Sequence, residues 1–103
     1  MNSRLIWLDG KVLPVEDAKV NVLSPTSQFG ANVFEGIRCY WSEENKNLYA
    51  FRLEDHFRRL LRSVKLFRFE NRYTLEDLKM SFVEVIKANN FKEDIAVRQT
   101  IFL

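Results

Sequence analysis

Twelve residues, Phe29-Gly30-Ala31-Asn32-Val33-Phe34-Glu35-Gly36-Ile37-Arg38-Cys39-Tyr40, hold the densest set of chemically useful groups in the chain. They combine aromatic rings, glycines and an acid–base pair. Gly36 removes a side chain where a ligand or another backbone can approach. Phe29 and Phe34 can wall an apolar pocket. The plainer reading is a strand entering a core, with Glu35 and Arg38 paired at the surface. Arg98 is a second candidate. It sits beside Val97 near an apolar end, either on a solvated face or buried against an anion, because a buried arginine must be paired. If its face lines a cavity, its planar fork suits a substrate carboxylate. Arg58, Arg59 and Arg62 form a third group. The same fork suits phosphate, but the three lie away from an apolar helical stripe, and a solvated basic face explains them more simply. Periodicity does not choose among them.

Other chemistries have little support. The chain has one histidine, His56, and one cysteine, Cys39. Cys39 reads as a small packing residue in a strand. His56 flanks a helix's apolar face and reads as a capping or packing residue. Neither forms a constellation with a third group. Gly30 and Gly36 match no P-loop or dinucleotide fingerprint.

The elements that must position these residues follow from pattern. Leu5–Leu8 and Lys11–Leu13, joined by Asp9-Gly10, read as a β-hairpin whose turn needs positive φ. Pro14 argues against prolonging its second strand. Val20–Leu23 alternates with Lys19 and Asn21 and reads as a short strand. Ser24–Gly30 is a loop or one helical turn. Phe34–Trp41 is a strand, Ser42–Asn47 a polar turn, and Leu48–Arg52 the return of a second hairpin. Leu53, Phe57, Leu60, Leu61 and Val64 mark one face of a helix. In a second helix Thr74 and Asp77 have capping-box spacing, Leu75, Leu78, Phe82, Val85 and Ile86 form the apolar face, and Asn89-Asn90 is a stop. Ile95–Leu103 reads as a final strand. The order, with strands first and helices grouped, is α+β rather than alternating βαβ.

A chain of 103 residues fits one small domain or part of a larger one. A net charge of +2 does not indicate nucleic acid. A lone cysteine excludes an internal disulfide and a metal cluster, which fits a reducing cytoplasm. No run approaches the ~20 apolar residues of a membrane span, and Met1-Asn2-Ser3-Arg4-Leu5 does not open a signal peptide. The chain stops inside an apolar strand, which would leave a bare edge, so it is expected to be part of a longer protein.

The Phe29–Tyr40 stretch resembles the signature of branched-chain amino acid aminotransferases, close to "YGxxVFEGIRCY", with Phe29 in place of the tyrosine. Ile6-Trp7-Leu8-Asp9-Gly10-Lys11 resembles the family's opening "IWFNGE", and Glu16-Asp17-Ala18-Lys19-Val20 also matches. Phe51-Arg52 followed by His56-Phe57-Arg58-Arg59-Leu60 resembles "FRxxEHxxRL". Val97-Arg98 and Ile101-Phe102 resemble "IRPLIF". The resemblance runs over nearly the whole chain in order.

It implies the small N-terminal domain of a fold-type IV, D-amino acid aminotransferase-like enzyme, with an antiparallel sheet and two helices, spanning residues 1–103. The large C-terminal domain, with the Schiff-base lysine, would lie beyond Leu103, leaving this piece inactive alone. The implied cofactor is pyridoxal 5'-phosphate, bound through Arg59. Phe29, Phe34, Gly36 and Arg38 match positions around the substrate, and Arg98 matches the arginine that receives glutamate's side-chain carboxylate. The implied substrates are small amino acids and 2-oxo acids, and the implied assembly is a cytoplasmic homo-oligomer, a dimer or larger. Ala96 stands where the family usually has a tyrosine and Gln99 where it has a proline. D-amino acid aminotransferase, aminodeoxychorismate lyase and a non-catalytic interaction module are the alternative readings.

Overall fold

The computed structural model describes residues 4–103, so the reading of Met1–Ser3 lies outside the described residues. The N-terminal hairpin pairs β1 (Leu5–Leu8) with β2 (Lys11–Pro14). Its turn has φ 48° at Asp9 and φ 94° at Gly10, the positive values that a two-residue Asp-Gly connection requires. Pro14, which has no N–H to donate, sits at the outer end opposite Leu5. A short 3-10 turn at Val15–Asp17 follows.

The stretch Val20–Leu23, expected as a strand, is not one. Asn21 turns the chain locally: its Oδ1 accepts the Leu23 N–H at 2.7 Å and its carbonyl accepts the Ser24 N–H at 3.0 Å. An asparagine side chain that captures nearby backbone offers an alternative to a ladder. Val22 and Leu23 consequently remain exposed. The segment then enters a single helical turn, α1 (Pro25–Phe29), with Ser24 as cap and Pro25 at its first position.

The main sheet is antiparallel, in the order β4-β3-β5, with β3 (Asn32–Ser42) in the centre, β4 (Asn47–Ala50) on one edge and β5 (Ile95–Phe102) on the other. The second hairpin ends earlier than expected, because Phe51 and Arg52 turn into the next helix. Two helices cover one face of this sheet: α2 (Leu53–Leu66) and α3 (Leu75–Asn89). The capping box forms as its spacing predicts. Thr74 Oγ1 accepts the Asp77 N–H at 3.2 Å and Asp77 Oδ2 accepts the Thr74 N–H at 2.8 Å. Asn90 ends α3 in the left-handed region, φ 53°.

Ile37 and Leu60 are wholly buried, and Val33, Cys39, Phe57, Val64, Leu78, Phe82 and Ile101 complete the core. Phe57 meets Phe82 edge-on, with ring centroids 6.0 Å apart. Burial pushes the Cys39 thiol pKa up, which fits its packing role. The N-terminal hairpin is pinned to α3 by Asn89, whose side chain donates to the Leu5 carbonyl at 2.8 Å and accepts the Leu5 N–H at 2.9 Å. Among the described residues no helix is long and apolar enough to cross a membrane.

Candidate active site

The site is built by the alternation of strand side chains. Successive residues of a strand point to opposite faces. In β3, Val33, Glu35, Ile37 and Cys39 turn inward, while Phe34, Gly36, Arg38 and Tyr40 turn outward. The register of β5 completes the outer face: Gly36 lies opposite Arg98, Phe34 opposite Thr100 and Arg38 opposite Ala96. On the other side Tyr40 lies opposite Tyr49 of β4. This face carries exposed rings at Phe34, Tyr40, Tyr49 and Phe102 with cations at Arg38 and Arg98.

Arg98 is therefore on the open face rather than in the core. Its guanidinium carbon stands 4.5 Å from the centroid of the Phe34 ring, a cation–π contact that props the charge above the sheet. Gly36 lies opposite Arg98 on the central strand. A Cβ added there would meet nothing within 4 Å, so the sheet between Phe34 and Arg38 is bare backbone. Phe34, Gly36, Arg38 and Arg98 thus come together on one surface. Phe29 stands at its margin, at the end of α1 and exposed. Helix α1 is tied to the sheet by the Thr26 N–H, which donates to the Leu103 carbonyl at 3.2 Å, and by Asn32, whose Nδ2 donates to Thr26 Oγ1 at 2.9 Å.

Arg59 is on the other side of β3, on α2. The expected surface pair of Glu35 with Arg38 does not form, because the two residues lie in opposite phases of the strand. Glu35 instead turns inward, with its side chain 6% exposed, and meets α2. Arg59 Nη2 donates to Glu35 Oε1 at 2.7 Å, and Arg59 Nε donates to Oε2 at 2.9 Å and to Oε1 at 3.1 Å. His56 Nδ1 lies 2.8 Å from the same Oε1. His56 is thus neither a cap nor simple packing, but a partner of a buried acid. The Arg59 guanidinium beside Glu35 holds its carboxyl below the ordinary value, against burial, which acts the other way. The carboxylate is ionised and accepts, so the histidine nitrogen facing it carries the proton.

The Arg59 side chain is 65% exposed, and the three bonds to Glu35 use only Nε and Nη2. Nη1 remains to donate to an anion such as a phosphate, and in that respect the residue fits a phosphorylated cofactor. Arg58, the neighbouring alternative, is exposed and turned to Glu54 at 3.5 Å.

Glu35 was legible in principle, since it shares its phase in β3 with three apolar residues. Gln99 was harder to find. Opposite Glu35 on the inner face, it donates from Nε2 to the Leu78 carbonyl at 3.1 Å and to Ser81 Oγ at 3.0 Å, tying β5 to α3. Concavities of about 700 Å³ beside Trp41 and Phe82 and of about 380 Å³ beside Trp7 and Tyr73 lie away from the outer sheet face. That face is an open surface.

The domain is thus an antiparallel sheet with helices on one face and a bare, arginine-bearing aromatic face on the other. The model of the class IV amino-transferase family matches residues 32–103, and the chain belongs to that family. A probable branched-chain-amino-acid aminotransferase of Aquifex aeolicus is 34% identical over 92 residues, covering 89% of this chain and 30% of the relative. The crystal structure of a branched-chain aminotransferase from Thermoproteus uzoniensis with norvaline superposes with a TM-score of 0.92 at 49% identity, covering 99% of this chain and 34% of that one. The branched-chain amino acid aminotransferase of Thermobaculum terrenum, in its PLP-bound holo-form, superposes with a TM-score of 0.85 at 31% identity, covering 96% of this chain and 32% of that one. The chain thus spans about a third of the length of the relatives it matches, and its fold is that of their N-terminal part.

Proposed function

We propose that the full-length protein transfers an amino group between a branched-chain amino acid and 2-oxoglutarate, with pyridoxal 5'-phosphate as cofactor. The observation that carries this reading is the outer face of β3 and β5. It offers an apolar wall at Phe34, a bare strand at Gly36 and a cation at Arg98 on one surface. Such a surface can take an aliphatic side chain or, through Arg98, a second carboxylate. Dual recognition of this kind is what exchange between an apolar amino acid and glutamate demands. Phe29 closes the apolar side, and Arg38 supplies a further cation on the face.

In this reading Arg59 anchors the cofactor phosphate through the N–H groups that Glu35 leaves free. The electron sink for the substrate's Cα is supplied by the cofactor when bound. The lysine that moves the Cα proton belongs to the part of the protein beyond Leu103. The residues of this chain bind and orient. The open face is completed by the remaining chain and by a second copy in a cytoplasmic homo-oligomer.

The test is amino transfer by the full-length protein with valine, D-alanine or aminodeoxychorismate as substrate. Valine should be preferred. Arg98→Ala should raise KM for glutamate and 2-oxoglutarate on the order of tenfold or more, as loss of a charge-assisted carboxylate bond does, and leave KM for leucine within about twofold, since no carboxylate contact is lost there. Equal effects on both substrates would remove Arg98 from carboxylate recognition. Activity with D-alanine or aminodeoxychorismate alone would replace the substrate assignment.

A further inference from the structure

Helix α2 brings His56 and Arg59, three residues apart and so on one face, down onto a single acid of the strand beneath. Glu35 is reached from 21 and 24 residues away along the chain, by His56 and Arg59 respectively. Its Oε1 is shared between the imidazole at 2.8 Å and Arg59 Nη2 at 2.7 Å, and its Oε2 takes Arg59 Nε at 2.9 Å. The partners are unequal in burial. The Glu35 side chain is 6% exposed and that of His56 19%, whereas that of Arg59 is 65% exposed. A buried acid thus holds the near edge of a guanidinium whose far edge faces solvent.

We propose that Glu35 is a positioning residue for Arg59, fixing the guanidinium so that Nη1 is presented to the cofactor phosphate. The proposal rests on the reading that Arg59 binds that phosphate. An exposed arginine has many rotamers, and freezing them when a ligand arrives weakens binding. Two bonds from adjacent nitrogens to one carboxylate fix both the position and the plane of the fork. His56 in turn holds the carboxylate, since its Nδ1–H occupies the oxygen that would otherwise rotate with Arg59.

Electrostatics alone argues the opposite. A carboxylate beside Arg59 cancels its charge and should weaken its attraction for phosphate. The two effects therefore predict opposite signs for removing the charge of Glu35. Orientation is the larger in this geometry because the Arg59 side chain is 65% exposed, so water screens the field of Glu35 at an anion on the far edge of the guanidinium.

The experiment measures the affinity of the full-length protein for pyridoxal 5'-phosphate and for pyridoxal, which lacks the phosphate, from the cofactor's absorbance. Glu35→Gln should weaken pyridoxal phosphate binding about tenfold, the lower end of what losing such a supporting partner costs at metal sites. It should leave pyridoxal binding within about twofold, since only the phosphate contact is disturbed. Arg59→Lys, at an exposed position that tolerates the change, keeps the charge and loses the fork, and should show the same selective loss. In an Arg59→Ala background Glu35→Gln should add nothing, as residues acting through one contact are not additive. Unchanged or tighter phosphate-selective binding in Glu35→Gln, or in Arg59→Lys if the first variant does not fold, overturns the proposal. Arg59→Ala with full affinity would overturn the phosphate assignment itself. A loss in Arg59→Ala without one in Glu35→Gln would overturn only the role of Glu35.

Discussion

The two faces of β3 are made from alternate residues of one strand and have opposite characters. Val33, Glu35, Ile37 and Cys39 are buried, and each has a neighbour on α2, α3 or β5 that accounts for it. Phe34, Gly36, Arg38 and Tyr40 are exposed. Along one strand of eleven residues, one register position separates the buried face from the open one. A contiguous exposed face of aromatic rings and arginines marks a surface that meets a ligand or another layer. The single acid on the strand is on the inner face, and the outer face carries cations.

The largest effect that sharpens this contrast is expected from paired truncations on the two faces. Ile37 is fully buried, and Ile37→Ala should destabilise the full-length protein by about 2–5 kcal/mol, the range for removing a buried aliphatic side chain. On the opposite face Phe34 is 52% exposed, and Phe34→Ala should change stability by less than about 1 kcal/mol, since it gives up only a surface cation–π contact and partly buried area. The order should reverse in catalysis, with Phe34→Ala raising KM for leucine and Ile37→Ala leaving it close to the parent value wherever the protein stays folded. Urea melts and steady-state kinetics on both variants check this. Equal destabilisation would mean that the outer face is packed as tightly as the inner.

The parts of the fold that were legible in the sequence are those decided within a few residues. The Asp9-Gly10 turn, the Thr74–Asp77 capping box, the apolar face of α2 and the Asn90 stop are each set by local chemistry, and each is present in the structure. The candidate residues Phe34, Gly36, Arg38 and Arg98 were chosen through resemblance, and the register of β3 and β5 puts all four on one face. Among the readings that failed, two show the physical reason most directly. The alternation of Val20 and Val22 suggests a strand, but a strand needs a neighbour to take its backbone, and Asn21 satisfies the backbone locally instead. The pairing of Glu35 with Arg38 follows from closeness in sequence, whereas an odd spacing in a strand puts them on opposite faces. The partners of Glu35 come from a helix whose approach is decided only when the layers pack.

A smaller effect tests whether the helices that cover the inner face depend on their caps or on packing. Thr74→Ala removes one half of the capping box and should lower stability by about 1 kcal/mol. The loss should be well below that of Ile37→Ala, because most helical stability comes from the buried face. Urea melts read both. If Thr74→Ala approached the cost of Ile37→Ala, α3 would be held by its end rather than by Leu78 and Phe82.

The smallest effect is electrostatic and concerns the acid of the inner face. Hydrogen bonding to Arg59 holds the Glu35 carboxyl below its ordinary value near 4.5. A carboxyl with a lower pKa in the folded chain than in the unfolded one contributes stability that is fully present above the unfolded value. That contribution is lost as pH falls through the folded value. The stability that Glu35 adds near neutrality should therefore decline only below about pH 4.5, the unfolded value. Because Arg59 is 65% exposed, solvent screens the pair and keeps the contribution small. Glu35→Gln in the full-length protein should be less stable than the parent at neutral pH. The two urea midpoints should converge as the pH is lowered from the unfolded value through the folded one, below which the carboxyl is protonated in both states. A difference that stayed constant across that range would mean that Glu35 acts through its shape on the inner face, and that its charge adds nothing to holding α2 against β3.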